Sequence, residues 1–218
     1  MRTKADAVKI VEALKNEYPV GICSLDYDNA WQLMVAVRLS AQCTDARVNE
    51  ITPVLFAKYP TLKDLAGAEV SDIEEIIHSC GFFRGKARDI HAAAGIVLTQ
   101  YGGRLPSTME ELLALPGVGR KSANLILGDV YNVPGVVIAD THCIRISNRL
   151  GFVQSKDPMK VETALRKVLP PEESNNFCHR LVLHGRAVCT ARAALCERCV
   201  LAGLCPKKGV APLVSGGS

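Results

Sequence analysis

The chain has 218 residues, enough for one large domain or two smaller ones, each with its own core. Hydrophobic residues make up 48% and the formal net charge is only +4, which excludes a polybasic tail-like protein; grip on a polyanion would need clustered basic residues. Nothing reads as a signal peptide or an apolar span of about 18 residues, so a soluble intracellular chain with no membrane partner is expected. In such a chain nine cysteines favour metal or redox chemistry over a disulfide framework.

In chain order, Met1 to Tyr18 has Val8, Val11 and Leu14 on one side and charges elsewhere, the pattern of an amphipathic helix stopped by Pro19. Asp28 or Asn29 can cap the next helix, Ala30 to Ser40, which is apolar almost all round and reads as a central core helix carrying Trp31. Gln42 to Asp45 is a polar break before a helix with Val48, Ile51 and Leu55 on one face. Ser71-x-x-Glu74 reads as a capping box opening a short helix that ends near Cys80-Gly81. Phe82 to Lys86 reads as a loop, followed by a long helix from about Ala87 to Tyr101 that Gly102-Gly103 stops.

The stretch from Ser107 to Leu150 carries the most information. Ser107-x-x-Glu110 reads as a second capping box, with a short helix to about Leu115. Pro116-Gly117-Val118-Gly119 breaks it with a turn whose N–H groups can face an anion. A second helix starts near Arg120, with Ala123, Ile126, Leu127 and Val130 at i, i+3, i+4, i+7 as its buried face and Lys121 nearly opposite. Val133 to Ala139 is the one strand-like run, and Asp140 stands as N-cap to the helix after it. Further on, Asp157-Pro158 opens a helix to Leu169, and another ends near Arg186. The fold class is all-α, and the tail after Pro206 has little to bury and is expected to be loosely attached.

The residue chemistry leaves alternatives. An amine such as Lys121 can attack an electrophilic sugar carbon only when neutral, against an unperturbed pKa of about 10.4. Helix-start potential, Arg120 and desolvation push the right way, but a solvated lysine or a phosphate contact is the commoner fate. Cys189-x6-Cys196-x2-Cys199-x5-Cys205 points to metal ligation by four cysteines, with zinc and iron–sulfur about even on chemistry alone. Cys23, Cys43, Cys80, Cys143 and Cys178 are scattered and read as core or incidental thiols; His91, His179 and His184 read as structural. His142, Arg145 and Arg149 share a helical face, and Arg84, Lys86 and Arg88 cluster around a glycine; either set can be a solvated face or touch phosphate.

The LPGVG turn is the helix-hairpin-helix pattern, and with VIADTH, LSAQCTD, LHGR and the four spaced cysteines the chain resembles endonuclease III over Val8 to Cys205. That resemblance implies two helical domains: a six-helix domain over residues 24–134 with the hairpin, and a discontinuous domain of residues 1–23 and 135–218 with the cluster loop. An active-site cleft is implied between them, with Lys121 and Asp140 on facing walls. The implied activity is removal of oxidised pyrimidines from double-stranded DNA by a monomeric glycosylase, with β-elimination at the abasic site. Lys121 would be the Schiff-base nucleophile and Asp140 the catalytic carboxylate. Cys189, Cys196, Cys199 and Cys205 would hold a 4Fe-4S cluster. Gly117, Val118, Gly119 and Arg120 of the turn, with Arg145 and Arg192, are implied DNA contacts. Gln42 and Phe82 would fill the hole left by a flipped base; the family often has leucine where Phe82 stands. The loop between the first two cluster cysteines is less basic than is usual, with Arg192 alone. An adenine-mismatch glycosylase is the rival enzyme, disfavoured by Lys121 and by the chain's short extent past Cys205. A non-catalytic DNA-binding protein is the rival of a different class.

Overall fold

Thr3 opens the first helix: its hydroxyl accepts the Asp6 N–H, and the Asp6 carboxylate accepts the Thr3 N–H. In the computed structural model, which describes residues 2–210, this helix is α1 (Lys4–Glu17). It buries Ala7, Ile10, Val11 and Leu14, and Val8 falls off that stripe and is exposed. Asn29 caps α2 (Ala30–Ser40) by accepting the Gln32 N–H, and α2 is buried along most of its length, as a central helix must be. Trp31 lies edge-on to Phe56 with ring centroids 5.2 Å apart, a packing role. Then come α3 (Asp45–Lys58), α4 (Leu62–Ala66), α5 (Val70–Ile77) and α6 (Phe83–Gln100). Helices α4 and α5 pack on α6, and α3 packs on α2 and α5.

The hairpin helices are α7 (Met109–Leu113) and α8 (Arg120–Asp129), which pack on each other, with α8 also against α2. They are followed by α9 (Thr141–Leu150), α10 (Pro158–Arg166) and α11 (Ser174–Ala187). Helix α11 packs on α1 and α9, and α10 packs on α9. The chain divides into two compact units, Met1–Ile22 with Val133–Ser218, and Cys23–Asn132. The first holds α1, α9, α10, α11 and the cysteine loop; the second holds α2 to α8.

Four local expectations are corrected. The cap before α7 is Thr108, which accepts the Glu111 N–H, so the S/T-x-x-E pattern is used one residue later than Ser107. Helix α5 starts at Val70 after Glu69, with no side-chain cap bond, so Ser71 lies inside it. Phe83 to Lys86 are helical, because Phe82 takes the left-handed conformation (φ 58°, ψ 30°) and starts α6 there. The strand-like run forms no strand: Val136, Val137 and Ile138 are buried in an irregular segment, where the Ile138 N–H reaches Cys178 Sγ at 3.3 Å. No strand exists among the described residues, only an isolated bridge between Cys189 and Ala194. The all-α expectation therefore stands. No described helix is long and apolar enough to cross a membrane. Of the tail expected to be loose, residues 211–218 lie outside the described ones, while the Lys208 N–H bonds the Arg149 carbonyl at 3.1 Å.

Candidate functional site

The hairpin turn is built on a glycine at which a side chain would be both strained and crowded. Gly117 has φ +75°, and a Cβ there would lie 2.6 Å from Arg38 Cδ and Nε and 2.9 Å from Asp89 Cβ. Beneath it Arg38 on α2 pairs with Asp89 on α6, with Nε and Nη2 at 2.8 and 2.6 Å from Oδ2. Val118 is buried and seats the turn. Gly119 is the N-cap of α8 and has no side chain to occupy the N–H groups of the first turn, so the helix start presents them with its positive end. Lys121 is exposed in that same turn, and Arg120 is half-exposed. The buried side of α8 runs through Ala123, Asn124, Leu125, Ile126 and Leu127, while Val130 is half-exposed at its end.

Gln42 and Phe82 stand on neighbouring loops of the same unit. Both are exposed, Phe82 at 73%, and both have positive φ, 54° and 58°. A left-handed conformation costs a residue with a side chain roughly 1–2 kcal/mol, and such strain concentrates where side chains are aimed at a ligand. The loops touch: a Cβ on Gly81 would be 3.9 Å from the Gln42 carbonyl, and Cys43 Sγ is 3.7 Å from Cys80 Sγ. Phe83 is half-buried with the Arg84 guanidinium 5.4 Å from its ring. Lys86, grouped by sequence with a basic surface, is buried, and its ammonium bonds the Leu39 carbonyl at 2.8 Å. Burial lowers its pKa.

In the other unit, Asp140 caps α9, Oδ1 accepting the Cys143 N–H at 2.7 Å. The cap uses that one oxygen, and the residue is half-exposed. Helix α9 lies so close to α11 that a Cβ on Gly185 would collide with His142 Nδ1 and come within 2.7 Å of Arg145 Nη2. This close approach explains the glycine of LHGR. Arg145 does not face outward as a phosphate contact would: Nε and Nη2 donate to the Cys189 carbonyl at 3.2 and 3.1 Å, and Nη2 also reaches the Gly185 carbonyl at 3.2 Å. Arg149 does the same, bonding the carbonyls of Cys189 and Thr190 and, at 3.1 Å, the sulfur of Cys189. These two arginines anchor the cysteine loop.

The loop itself buries little beyond Ala194 and Leu201. Among the described residues no group of three or more His, Cys, Asp or Glu side chains is disposed to hold a single metal ion. The four cysteines are nonetheless neighbours. Burial pushes the Cys199 thiol up, and the sulfurs of Cys189, Cys205 and Cys196 add to the shift. The Lys207 N–H donates to Cys205 Sγ at 3.3 Å, and His184 Nε2 lies 3.4 Å from Cys199 Sγ. Arg2 ties the loop to the end of α9 by bonding the carbonyls of Leu150 and Leu204. Soft thiolates, N–H···S donors and a small core suit an iron–sulfur group that needs all four sulfurs. Arg192 is exposed between the first two of them.

Two supporting charge clusters were not evident from the sequence. Arg38 and Asp89 under the hairpin are 51 residues apart, and only the single charged residue of the largely apolar α2 hints at them. The buried Arg180 pairs with Glu173 at 2.7 Å, and Lys15 on α1 joins at 2.8 Å, without any local motif.

Residues 35–171 match a family described as HhH-GPD superfamily base excision DNA repair protein. An endonuclease III of Synechocystis is 48% identical over 203 residues, 93% of each chain, and that of Escherichia coli K12 is 36% identical over 205 residues, 94% of this chain and 97% of the relative. The structure of a trapped endonuclease III–DNA covalent intermediate superposes with a TM-score of 0.88 at 38% identity, covering 95% of this chain and 97% of the other. A thermostable thymine-DNA glycosylase, 21% identical with a TM-score of 0.82 over 93% of this chain and 96% of its own, shares the fold. This chain belongs to the HhH-GPD superfamily and, within it, to the endonuclease III family.

Proposed function

We propose that the protein excises oxidised pyrimidines from double-stranded DNA and cleaves the resulting abasic site. The carrying observation is Lys121: an exposed amine in the first turn of α8, directly after the glycine hairpin, in a chain whose close structural relative has been captured covalently bound to DNA. The N–H groups of Gly117, Gly119 and Arg120 hold a backbone phosphate, with salt-dependent affinity, while Val118, whose N–H bonds the Leu115 carbonyl at 3.1 Å, shapes the turn that presents them. Gln42 and Phe82 enter the stack as the damaged nucleotide is flipped, and Arg192 adds a cationic contact.

Neutral Lys121 Nζ attacks C1′ of the flipped nucleotide, and the glycosidic bond breaks to release the base. The sugar ring opens to a Schiff base on Lys121, loss of a C2′ proton follows, and the 3′ phosphate leaves by β-elimination. Asp140 stabilises the positive charge that develops on the sugar and takes part in proton transfer, through a carboxylate held in place by its cap on α9. Cys189, Cys196, Cys199 and Cys205 hold a 4Fe-4S cluster, which staples the loop that Arg145 and Arg149 orient. The protein acts as a soluble monomer inside the cell.

Borohydride reduction tests the proposal. It should fix the wild-type protein to abasic DNA as one adduct, and Lys121→Ala should give none while still binding the duplex. An undiminished adduct in Lys121→Ala refutes the assignment of the nucleophile; no adduct in the wild type refutes the lyase step and leaves a glycosylase that forms no Schiff base or, if no base is released either, a non-catalytic DNA-binding protein.

A further inference from the structure

Cys43 and Cys80 lie 37 positions apart in sequence yet their sulfurs are 3.7 Å apart, outside the cysteine loop and in the other unit. Cys43 follows Gln42 directly, and Cys80 precedes Phe82 by two residues. The sulfur pair therefore joins the two loops that aim the exposed Gln42 and Phe82 side chains. Cys43 is half-buried and reachable by a small oxidant, while Cys80 is wholly buried behind it. A disulfide needs an S–S distance of about 2.05 Å, so closure requires the sulfurs to approach by less than the width of one atom.

We propose that Cys43 and Cys80 form a redox modification site, a dithiol that a hydroperoxide converts to a disulfide, and that this cross-link slows excision from duplex DNA by displacing Gln42 and Phe82. The first step puts the Cys43 thiolate on one oxygen of the peroxide. The O–O bond breaks, hydroxide or alkoxide leaves and is protonated, and Cys43 carries a sulfenic acid. The Cys80 thiol then attacks the Cys43 sulfur and gives up its proton as the S–O bond breaks and water departs. The two cysteines lose two electrons and two protons, and the peroxide gains both. Burial, reinforced by the neighbouring Cys43 sulfur, raises the Cys80 thiol to about 11 against the pull of the Lys86 ammonium and Arg47, so the buried Cys80 is slow to ionise and the more accessible Cys43 meets the peroxide first. Lys86 also ties the start of α6 to the end of α2 through the Leu39 carbonyl, so movement of either sulfur is transmitted to a shared support.

The effect on excision rests on reading Gln42 and Phe82 as stack-filling residues, whereas formation of the bond does not. The test treats the intact protein with hydrogen peroxide, follows any loss of cluster by absorbance, and maps the cross-link by peptide mass. Excision is measured on duplex DNA with an oxidised pyrimidine, and strand cleavage on a single-stranded abasic site. A Cys43–Cys80 link should appear, with duplex excision falling at least about tenfold, because misplacement of about 1 Å at a positioning group can cost about 100-fold. Single-strand cleavage should be spared, and a thiol reductant should restore the duplex rate. Cys43→Ser and Cys80→Ala should keep the untreated rate and resist peroxide. Failure of the link to form while Cys23 or the loop cysteines, half-buried like Cys43, oxidise overturns the site. A link that leaves duplex excision unchanged overturns the control; if Phe82→Ala also excises normally, the error lies in the stack-filling reading, and if Phe82→Ala is slow, it lies in the coupling of the disulfide to that loop.

Discussion

Replacing Gly117 with alanine tests the architecture of the hairpin through one methyl group. At φ +75° an alanine pays roughly 1–2 kcal/mol for the left-handed conformation. Its Cβ would also meet Arg38 at 2.6 Å and Asp89 at 2.9 Å, and relief of that overlap costs about 1–3 kcal/mol. Restricting the unfolded chain returns about 0.4–1 kcal/mol. The net destabilisation is about 2–4 kcal/mol, a fall in Tm of roughly 5–15 °C for a chain of this size. Urea unfolding and thermal scans measure it, and duplex binding should weaken in parallel. Arg38 is the movable half of the clash, so in a double-mutant cycle Gly117→Ala should cost less in an Arg38→Ala background than alone. Strictly additive losses, or a Gly117→Ala protein as stable as the wild type, would refute the picture of a turn packed on the Arg38–Asp89 pair.

Asp140→Asn should lose most base excision while its stability stays within about 0.5 kcal/mol, since Asn also caps, whereas Asp140→Ala adds a loss of about 1 kcal/mol; normal excision by the Asn variant would make Asp140 structural only. Burial raises the Glu173 pKa, but Lys15 and Arg180 outweigh it and hold the group below its ordinary 4.5. A depressed carboxylate stabilises the fold above its unfolded pKa and loses that contribution as pH falls through the folded one. Glu173→Gln should therefore cost about 2 kcal/mol at pH 7, because Arg180 is buried against it, with the difference from wild type shrinking as pH drops below 4.5. A gap independent of pH in urea melts would exclude the charge as its cause. The purified protein should be yellow-brown with iron and sulfide, and Cys199→Ser should bleach it and raise proteolysis of the loop; a colourless, zinc-loaded native protein would reverse the cluster assignment.

Much of this molecule is written in local chemistry. The all-α class follows from apolar residues recurring at helical spacing, and the hairpin from Pro116, Gly117 and Gly119 between two such runs. Asp140 as a cap was legible because the aspartate directly precedes a helical face, and its carboxylate bonds the N–H three residues on. Where two local solutions were equally good, the sequence could not choose. Ser107-x-x-Glu110 and Thr108-x-x-Glu111 satisfy the same cap, and the choice of Thr108 belongs to the packing of Leu112 and Leu115. The direction of charged side chains was also undetermined. Lys86, Arg145 and Arg149 look like neighbouring basic residues on paper, yet one is buried on the Leu39 carbonyl and the others clasp the Cys189 loop. Helical periodicity states which residues share a face, but the partner that covers the face is supplied by segments tens of residues away. Arg38 meeting Asp89 under Gly117, and Cys43 meeting Cys80 beside Gln42 and Phe82, exist only once distant helices have packed.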